Sequence, residues 1–262
     1  MNDFLKGKTV MITGASNGLG AEMARQVATQ GAHTILTARR TEKLAELSTQ
    51  IQADYGVISA YYKMDMTNFV EVEEVVQRIG DTKIDVLVNC AGFGIFEEAV
   101  TTDFVTVERM FDTNVLGLMR LTQLVLPSML ARKSGHIINI ASQAGKIATP
   151  KSSAYAATKF AVLGYSNALR MEVSPVGIHV TTVNPGPIAT SFFDIADKSG
   201  DYLNNVGFLV LKPEKVAAKI VGIMGKPKRE INLPFLMNII SRVYQVMPRV
   251  IEFFGKGAFE KK

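Results

Sequence analysis

Seven short runs rich in β-branched and apolar residues recur along this chain, and helical patterns fill the intervals between them. The runs cover 9–13, 34–38, 58–65, 85–91, 135–142, 178–186 and 230–234. Several are apolar throughout rather than alternating, as strands are when helices cover both faces of a parallel sheet. The helical patterns cover 18–30, 41–53, 68–79, 101–126, 152–173 and 213–225. Strand, helix and strand in this order require right-handed crossovers, and so predict an α/β fold with a doubly wound parallel sheet of about seven strands. The 262 residues suit one large α/β domain or two small ones. No linker divides the chain and no repeat is visible, which predicts a single domain, 1–262. Within it, 187–212 reads as an irregular insertion on the substrate side and 235–262 as a C-terminal helical appendage.

In such a sheet, ligands bind beyond the carboxyl ends of the strands. The first strand runs into "TGASNGLG", with glycines at 14, 18 and 20. Glycines on a first strand-to-helix turn permit a tight turn and a close approach of backbone to a phosphate. They can also be purely conformational, but at this place in a βαβ series they favour a dinucleotide. The second strand ends in "TARR". A carboxylate there accepts from an unphosphorylated ribose hydroxyl; Ala38 followed by Arg39 and Arg40 instead suits a 2′-phosphate. The bland alternative, two solvated arginines opening a helix, runs against the helix dipole.

Composition narrows the classes further. A net charge of +5 is mild and spread along the chain, too diffuse for a nucleic-acid surface. The single cysteine, Cys90, excludes an internal disulfide and fits a reducing compartment. It reads as a small buried hydrophobe, since no His or carboxylate motif accompanies it. The start shows no charged-then-apolar leader, and no uninterrupted apolar stretch approaches the length of a membrane span. Together these predict a cytoplasmic protein. His33, His136 and His179 have no second ligand at metal spacing, so no metal site is expected.

"YAATK", Tyr155 to Lys159, places a phenol and an ammonium one turn apart on one helix face, with small residues between. Taken alone, these are a solvated Tyr and Lys. Together with the glycine loop and with "MDMT", "NCAG", "FDTNVLG", "IINIAS" and "NPGPIAT", the chain resembles the short-chain dehydrogenase/reductase family from about Lys8 to Pro234. The departure is Cys90 in place of the second Asn of that family's N-N-A-G. The resemblance implies a Rossmann-type fold and an NADP cofactor. Its contacts would be Gly14, Ser16, Asn17, Gly18, Leu19 and Gly20 of the loop, and Arg39 and Arg40. Asp65 would bind the adenine amino group with Met66 beside it, next to Ala91, Gly92 and Asn89, the last of which would also steady the central sheet. Pro185, Gly186, Ile188 and Thr190 would meet the nicotinamide. It also implies a catalytic set of Asn114, Ser142, Tyr155 and Lys159, with Ser142 and Tyr155 touching substrate and Lys159 also on the nicotinamide ribose.

That set suits carbonyl–alcohol interconversion. Tyr155 would move the proton, Lys159 would favour its phenolate, and Ser142 would hold the carbonyl oxygen. Asn114 would distort its helix and hold a water behind Lys159. The aromatic and aliphatic residues of 187–212, among them Phe192, Phe193, Tyr202, Leu203, Phe208 and Leu209, suggest an apolar lid and a lipophilic small-molecule substrate. The alternatives are a 3-oxoacyl-thioester (acyl carrier protein) reductase and, from another class, a cofactor-sensing binding module without turnover. The two long helices are expected to pair copies into a homodimer or homotetramer. The appendage carries apolar residues at helical spacing on either side of Pro248. Two fates compete for it: packing on the protein, which is preferred, or peripheral contact with a membrane.

Overall fold

A computed structural model describes residues 2–197 and 207–259. Tyr202, Leu203, Lys261 and Lys262 lie outside the described residues, as do the side chains of Phe208, Phe254 and Lys256. Seven strands form one parallel sheet: β1 (Thr9–Thr13), β2 (His33–Ala38), β3 (Ser59–Lys63), β4 (Val86–Asn89), β5 (Gly135–Ile140), β6 (Ile178–Pro185) and β7 (Glu230–Leu233), in the order β3-β2-β1-β4-β5-β6-β7. The order reverses beside β1, and the carboxyl ends of β1 and β4 open the crevice where a ligand can enter.

The strands are apolar on both faces because both are covered. Val10, Ile12, Leu36, Val88 and Ile138 face α1 (Gly18–Ala28), α2 (Thr41–Tyr55) and, further along the chain, the helix Pro213–Val221. Met11, Ile35, Leu87, Ile137 and Val180 face the other way, toward α3 (Phe69–Ile79) and a long helical run, Phe104–Arg132. α6 (Ser153–Val173) packs on this same face. Two core layers thus sandwich one sheet.

The long run differs from the expected 101–126. It begins at Phe104 because the Asp103 carboxylate caps it, accepting from the Thr106 amide at 3.1 Å. It comprises α4 (Phe104–Phe111), a π-helical segment (Asp112–Leu116) and α5 (Gly117–Arg132). Pro127 lies inside α5 yet does not end it: Val125 and Met129 are buried on either side of it and hold the helix to the sheet. By length and composition the run is apolar enough to cross a membrane, but its inner side, Leu121, Thr122, Val125 and Met129, is buried in this domain. The helix expected at 213–225 is α8 and stops at Val221, with Gly225 turning at φ +80°.

Past β6 the chain makes a single-turn helix, α7 (Phe193–Ala196). The appendage forms two helices, α9 (Phe235–Val246) and α10 (Pro248–Phe259).

Candidate active site

A cavity of about 1000 Å³ opens at the carboxyl ends of the strands. Its first wall is the glycine loop. Gly14 takes φ +69°, and a Cβ there would stand 2.9 Å from the Ala91 Cα, so only glycine lets β1 and β4 end this close together. Gly18 takes φ +54° with the Thr190 side chain 3.3 Å from where its Cβ would be. Asn17 precedes α1 without capping it, and its side chain bonds Ser191 instead. The first-turn N–H groups of α1 therefore remain available to an anion. A dinucleotide's pyrophosphate fits this cradle. Thr13 Oγ1 accepts from the amides of Cys90 (3.0 Å) and Ala91 (2.9 Å), fixing the opposite lip.

Arg39 and Arg40 follow the end of β2, both exposed and both at the cavity. The Arg40 guanidinium donates to Ser16 Oγ at 3.2 Å. Asp65 and Met66 line the same end, and the Asp65 carboxylate accepts from the amide and hydroxyl of Thr67. Ser16, Leu19, Gly20, Ala91, Gly92, Pro185, Gly186, Ile188 and Thr190 also reach the wall. Asn89 does not. Grouped by sequence with the cofactor contacts, it is buried at the end of β4, donating to Thr122 Oγ1 (3.1 Å) and Asn139 Oδ1 (2.8 Å). Asn139 in turn donates to Ser166 on α6. This buried relay ties β4, β5 and α6 together, so Asn89 acts by bracing the sheet and not by contact.

α6 carries Tyr155 and Lys159, both buried and both at the wall. The Lys159 ammonium donates to the Ile140 carbonyl at 3.0 Å and sits 5.6 Å from the centre of the Tyr155 ring. Burial pushes Lys159 down to about 8, with nearby Cys90 acting weakly the other way. Cys90 itself is pushed up to about 12 by burial, so its thiol stays protonated and inert near neutral pH. Ser142 stands at the end of β5. Its Oγ accepts from the Ala144 amide at 3.0 Å, while its proton has only a long, 3.4 Å contact to the Pro185 carbonyl and remains available to an incoming oxygen.

Asn114 lies behind this wall, in the π segment. Its amide accepts from the Phe93 N–H (3.0 Å), donates to the Phe93 carbonyl (2.8 Å) and donates to Thr158 Oγ1 (3.1 Å). It thereby clamps the loop after β4 to α6, one residue from Lys159.

Gly94, Phe96 and Met237 escape the sequence patterns, whereas Phe192, Phe193 and Leu209 of the expected lid reach the wall. Gly94 lies flat against the Tyr155 ring, and a Cβ there would meet Cδ2 at 2.6 Å; the spacing G-F-G after β4 was a visible signal. Phe96 and Phe192 each place a ring centre 5.7 Å from that of Tyr155, and Phe193 meets Phe192 edge to face at 5.3 Å. The Phe96 amide donates to the Ala196 carbonyl at 2.8 Å, tying the loop after β4 to the single turn α7. From the appendage, Leu236, Met237, Ile240 and Ile251 complete the apolar end.

The short chain dehydrogenase family profile matches residues 8–199. Ketoacyl reductase HetN of Nostoc sp. is 31% identical over 98% of this chain and 93% of its own. Glycine betaine reductase ATRR of Emericella nidulans is 36% identical over 86% of this chain, which spans only 18% of that much longer protein. The solved short-chain dehydrogenase from Sphingobium yanoikuyae in complex with NADPH superposes with a TM-score of 0.80, at 27% identity, covering 92% of this chain and 95% of that one. With the profile spanning most of the sheet, this chain belongs to the short-chain dehydrogenase/reductase family of NAD(P)-dependent oxidoreductases.

Proposed function

We propose that this protein interconverts a carbonyl and an alcohol on a lipophilic small molecule, using NADP(H). The observation that carries the reading is the close grouping of the Tyr155 phenol, the Lys159 ammonium and the loosely held Ser142 hydroxyl beside the glycine cradle. A nicotinamide cofactor, when bound, supplies or accepts the hydride. Every other task falls to the protein. Ser142 donates to the carbonyl oxygen and fixes it against Tyr155. Tyr155 delivers the proton to that oxygen, and in the reverse direction takes it away. A free phenol, with a pKa near 10, is a poor acid–base group at neutral pH. The adjacent Lys159 ammonium favours the phenolate and brings the phenol closer to working range. Asn114 holds the loop at Phe93 in register with α6, which keeps Gly92 and Gly94 tight against Lys159 and Tyr155.

Arg39 and Arg40 would pair with a 2′-phosphate, which favours NADPH over NADH. The aromatic group of Phe96, Phe192 and Phe193, with Leu209, Met237 and Ile240, supports an apolar substrate. The near full-length likeness to a ketoacyl reductase supports a second reading, a 3-oxoacyl-thioester substrate. We also propose a homo-oligomer. α4, the π segment, α5 and α6 leave Phe104, Val105, Leu116, Met119 and Phe160 exposed, an apolar face suited to a second copy.

NADPH oxidation should be followed with matched series of aldehydes, ketones and 3-oxoacyl thioesters, and repeated with NADH. Efficiency rising with the apolar length of simple carbonyls supports the leading reading. Turnover confined to thioesters selects the second, and equal efficiency with NADH removes the assigned role of the arginines.

A further inference from the structure

The first helix of the appendage has two faces, one turned into the domain and one exposed. On α9, Met237, Ile240 and the fully buried Ser241 point into the domain, with Met237 and Ile240 at the cavity wall. At 100° per residue, Phe235, Leu236, Ile239, Val243 and Val246 fall on one contiguous arc of the same helix, turned the other way. These residues are exposed: Phe235 is 74% and Val246 81% accessible. Met247 and Val250 continue the exposed apolar stripe across the junction with α10. Single exposed apolar residues are ordinary, but a continuous helical stripe needs a cover.

Three observations narrow that cover. The stripe is flanked by exposed Arg242 and Arg249. From Leu233 to Lys262 the sequence carries five basic residues against two acidic ones, more than half of the chain's net charge of +5. A second copy seated face to face on this stripe would bring like charges together, and a separate apolar face on α4–α6 is already open to a second copy. Leu236 belongs to both the exposed stripe and the cavity wall, and exposed Ile195 of α7 stands on the wall as well. Leu236 thus joins the exposed stripe of α9 to the cavity wall.

We propose that the outer face of α9 and the start of α10 docks on an anionic lipid bilayer, lying in the interface with its apolar arc among the acyl chains and its arginines at the headgroups. The bilayer would then cover the apolar rim of the cavity, and an amphiphilic ligand could pass between the two without crossing water. The docking itself does not depend on the chemistry proposed above.

The full chain should be floated on vesicles of phosphatidylglycerol and phosphatidylcholine, and on phosphatidylcholine alone. The wild-type protein is expected to rise with the anionic vesicles and to remain below with the neutral ones. Phe235→Glu with Val246→Glu, neither at the cavity, should lower the bound fraction about tenfold, with the melting temperature unchanged. Arg242→Gln with Arg249→Gln should weaken binding to the anionic vesicles only. Val100→Glu, at an exposed site remote in sequence, serves as the control and should float like wild type. Three results would overturn the proposal: no flotation on the anionic vesicles, flotation undiminished in the Phe235/Val246 variant, or loss of oligomer in that variant with no vesicle binding by either protein.

Discussion

The cavity has two ends built by different means. At the cofactor end the wall is mostly backbone: Gly14 and Gly18 at positive φ, an uncapped helix start, and the amides of Cys90 and Ala91 held by Thr13. At the substrate end it is side-chain hydrocarbon drawn from four separate stretches of chain, through Phe96, Phe192, Leu209 and Met237. Backbone amides at a helix start recognise a group common to all dinucleotides and need glycines at fixed places. Side-chain hydrocarbon recognises shape and size, and can be exchanged one residue at a time. The first end is constrained by geometry, and the second, on the function proposed above, is free to define the substrate.

This contrast can be broken most severely at the seam. Tyr155→Phe should lower kcat by more than about a hundredfold, roughly 2.7 kcal/mol of barrier, because the proton route is removed. NADPH affinity, read by fluorescence titration, should stay close to wild type. A variant retaining a tenth of the activity would remove Tyr155 from the acid–base role. Next in size is Arg39→Ala, expected to raise the KM for NADPH about tenfold and to leave that for NADH almost unchanged. A matching rise in the KM for the carbonyl would show that the two ends are not separable. Phe192→Ala is the mirror test. It should raise the KM for a long apolar carbonyl by about threefold to tenfold, affect a small one less, and spare NADPH.

The smallest effect on catalysis concerns His136, at the opposite ends of the strands from the cavity. Burial, helped by neighbouring His179, pushes His136 down to about 3. Its ring accepts from the Gly225 amide and meets Thr181 Oγ1 at 2.8 Å. In the unfolded chain the same ring takes up a proton near pH 6.5. As pH falls from about 6.5 toward 3, only the unfolded state gains that proton, so stability is lost by up to about 1.4 kcal/mol per pH unit. Urea midpoints at pH 7.5 and 5.5 should differ in this direction, and His136→Gln should flatten the difference. A slope unchanged in that variant would place its origin elsewhere.

The division between the two ends also governs what could be read from the sequence. Strands β1 and β4 announce themselves as apolar runs because helices cover both faces, whereas β6 is read from its β-branched residues although His179, Thr181, Thr182 and Asn184 are polar. The cofactor end was legible because backbone recognition demands glycines and short spacings within one turn of chain. The hydrocarbon end was legible only in part. Phe192, Phe193 and Leu209 could be read as an apolar lid, and Ile240 and Ile251 as members of an apolar helical stripe, but Phe96 and Met237, about 140 residues apart, obey no spacing rule; only folding brings them to one wall. Asn89 was legible in part. The resemblance implied that it steadies the central sheet, and its bond to Asn139 agrees; its absence from the cavity wall could not be read from a motif, which records where a residue falls and not which way its side chain turns.

One feature of the long helical run sets a rule for how this sequence can change. In the segment Asp112–Leu116 the Gly117 amide reaches back to the Asp112 carbonyl, one residue further than in an α-helix. The wide turn takes up one residue more than a regular turn holds, and α5 leaves it with Leu121, Val125 and Met129 on the sheet. Removing one residue there would restore a regular helix and keep those three on the same face, because the under-twisted turn already offsets the extra residue. The loss would fall on the segment itself, where Asn114 holds Phe93 to Thr158. The fold could therefore survive that deletion, while the placement of Asn114 behind Lys159 could not.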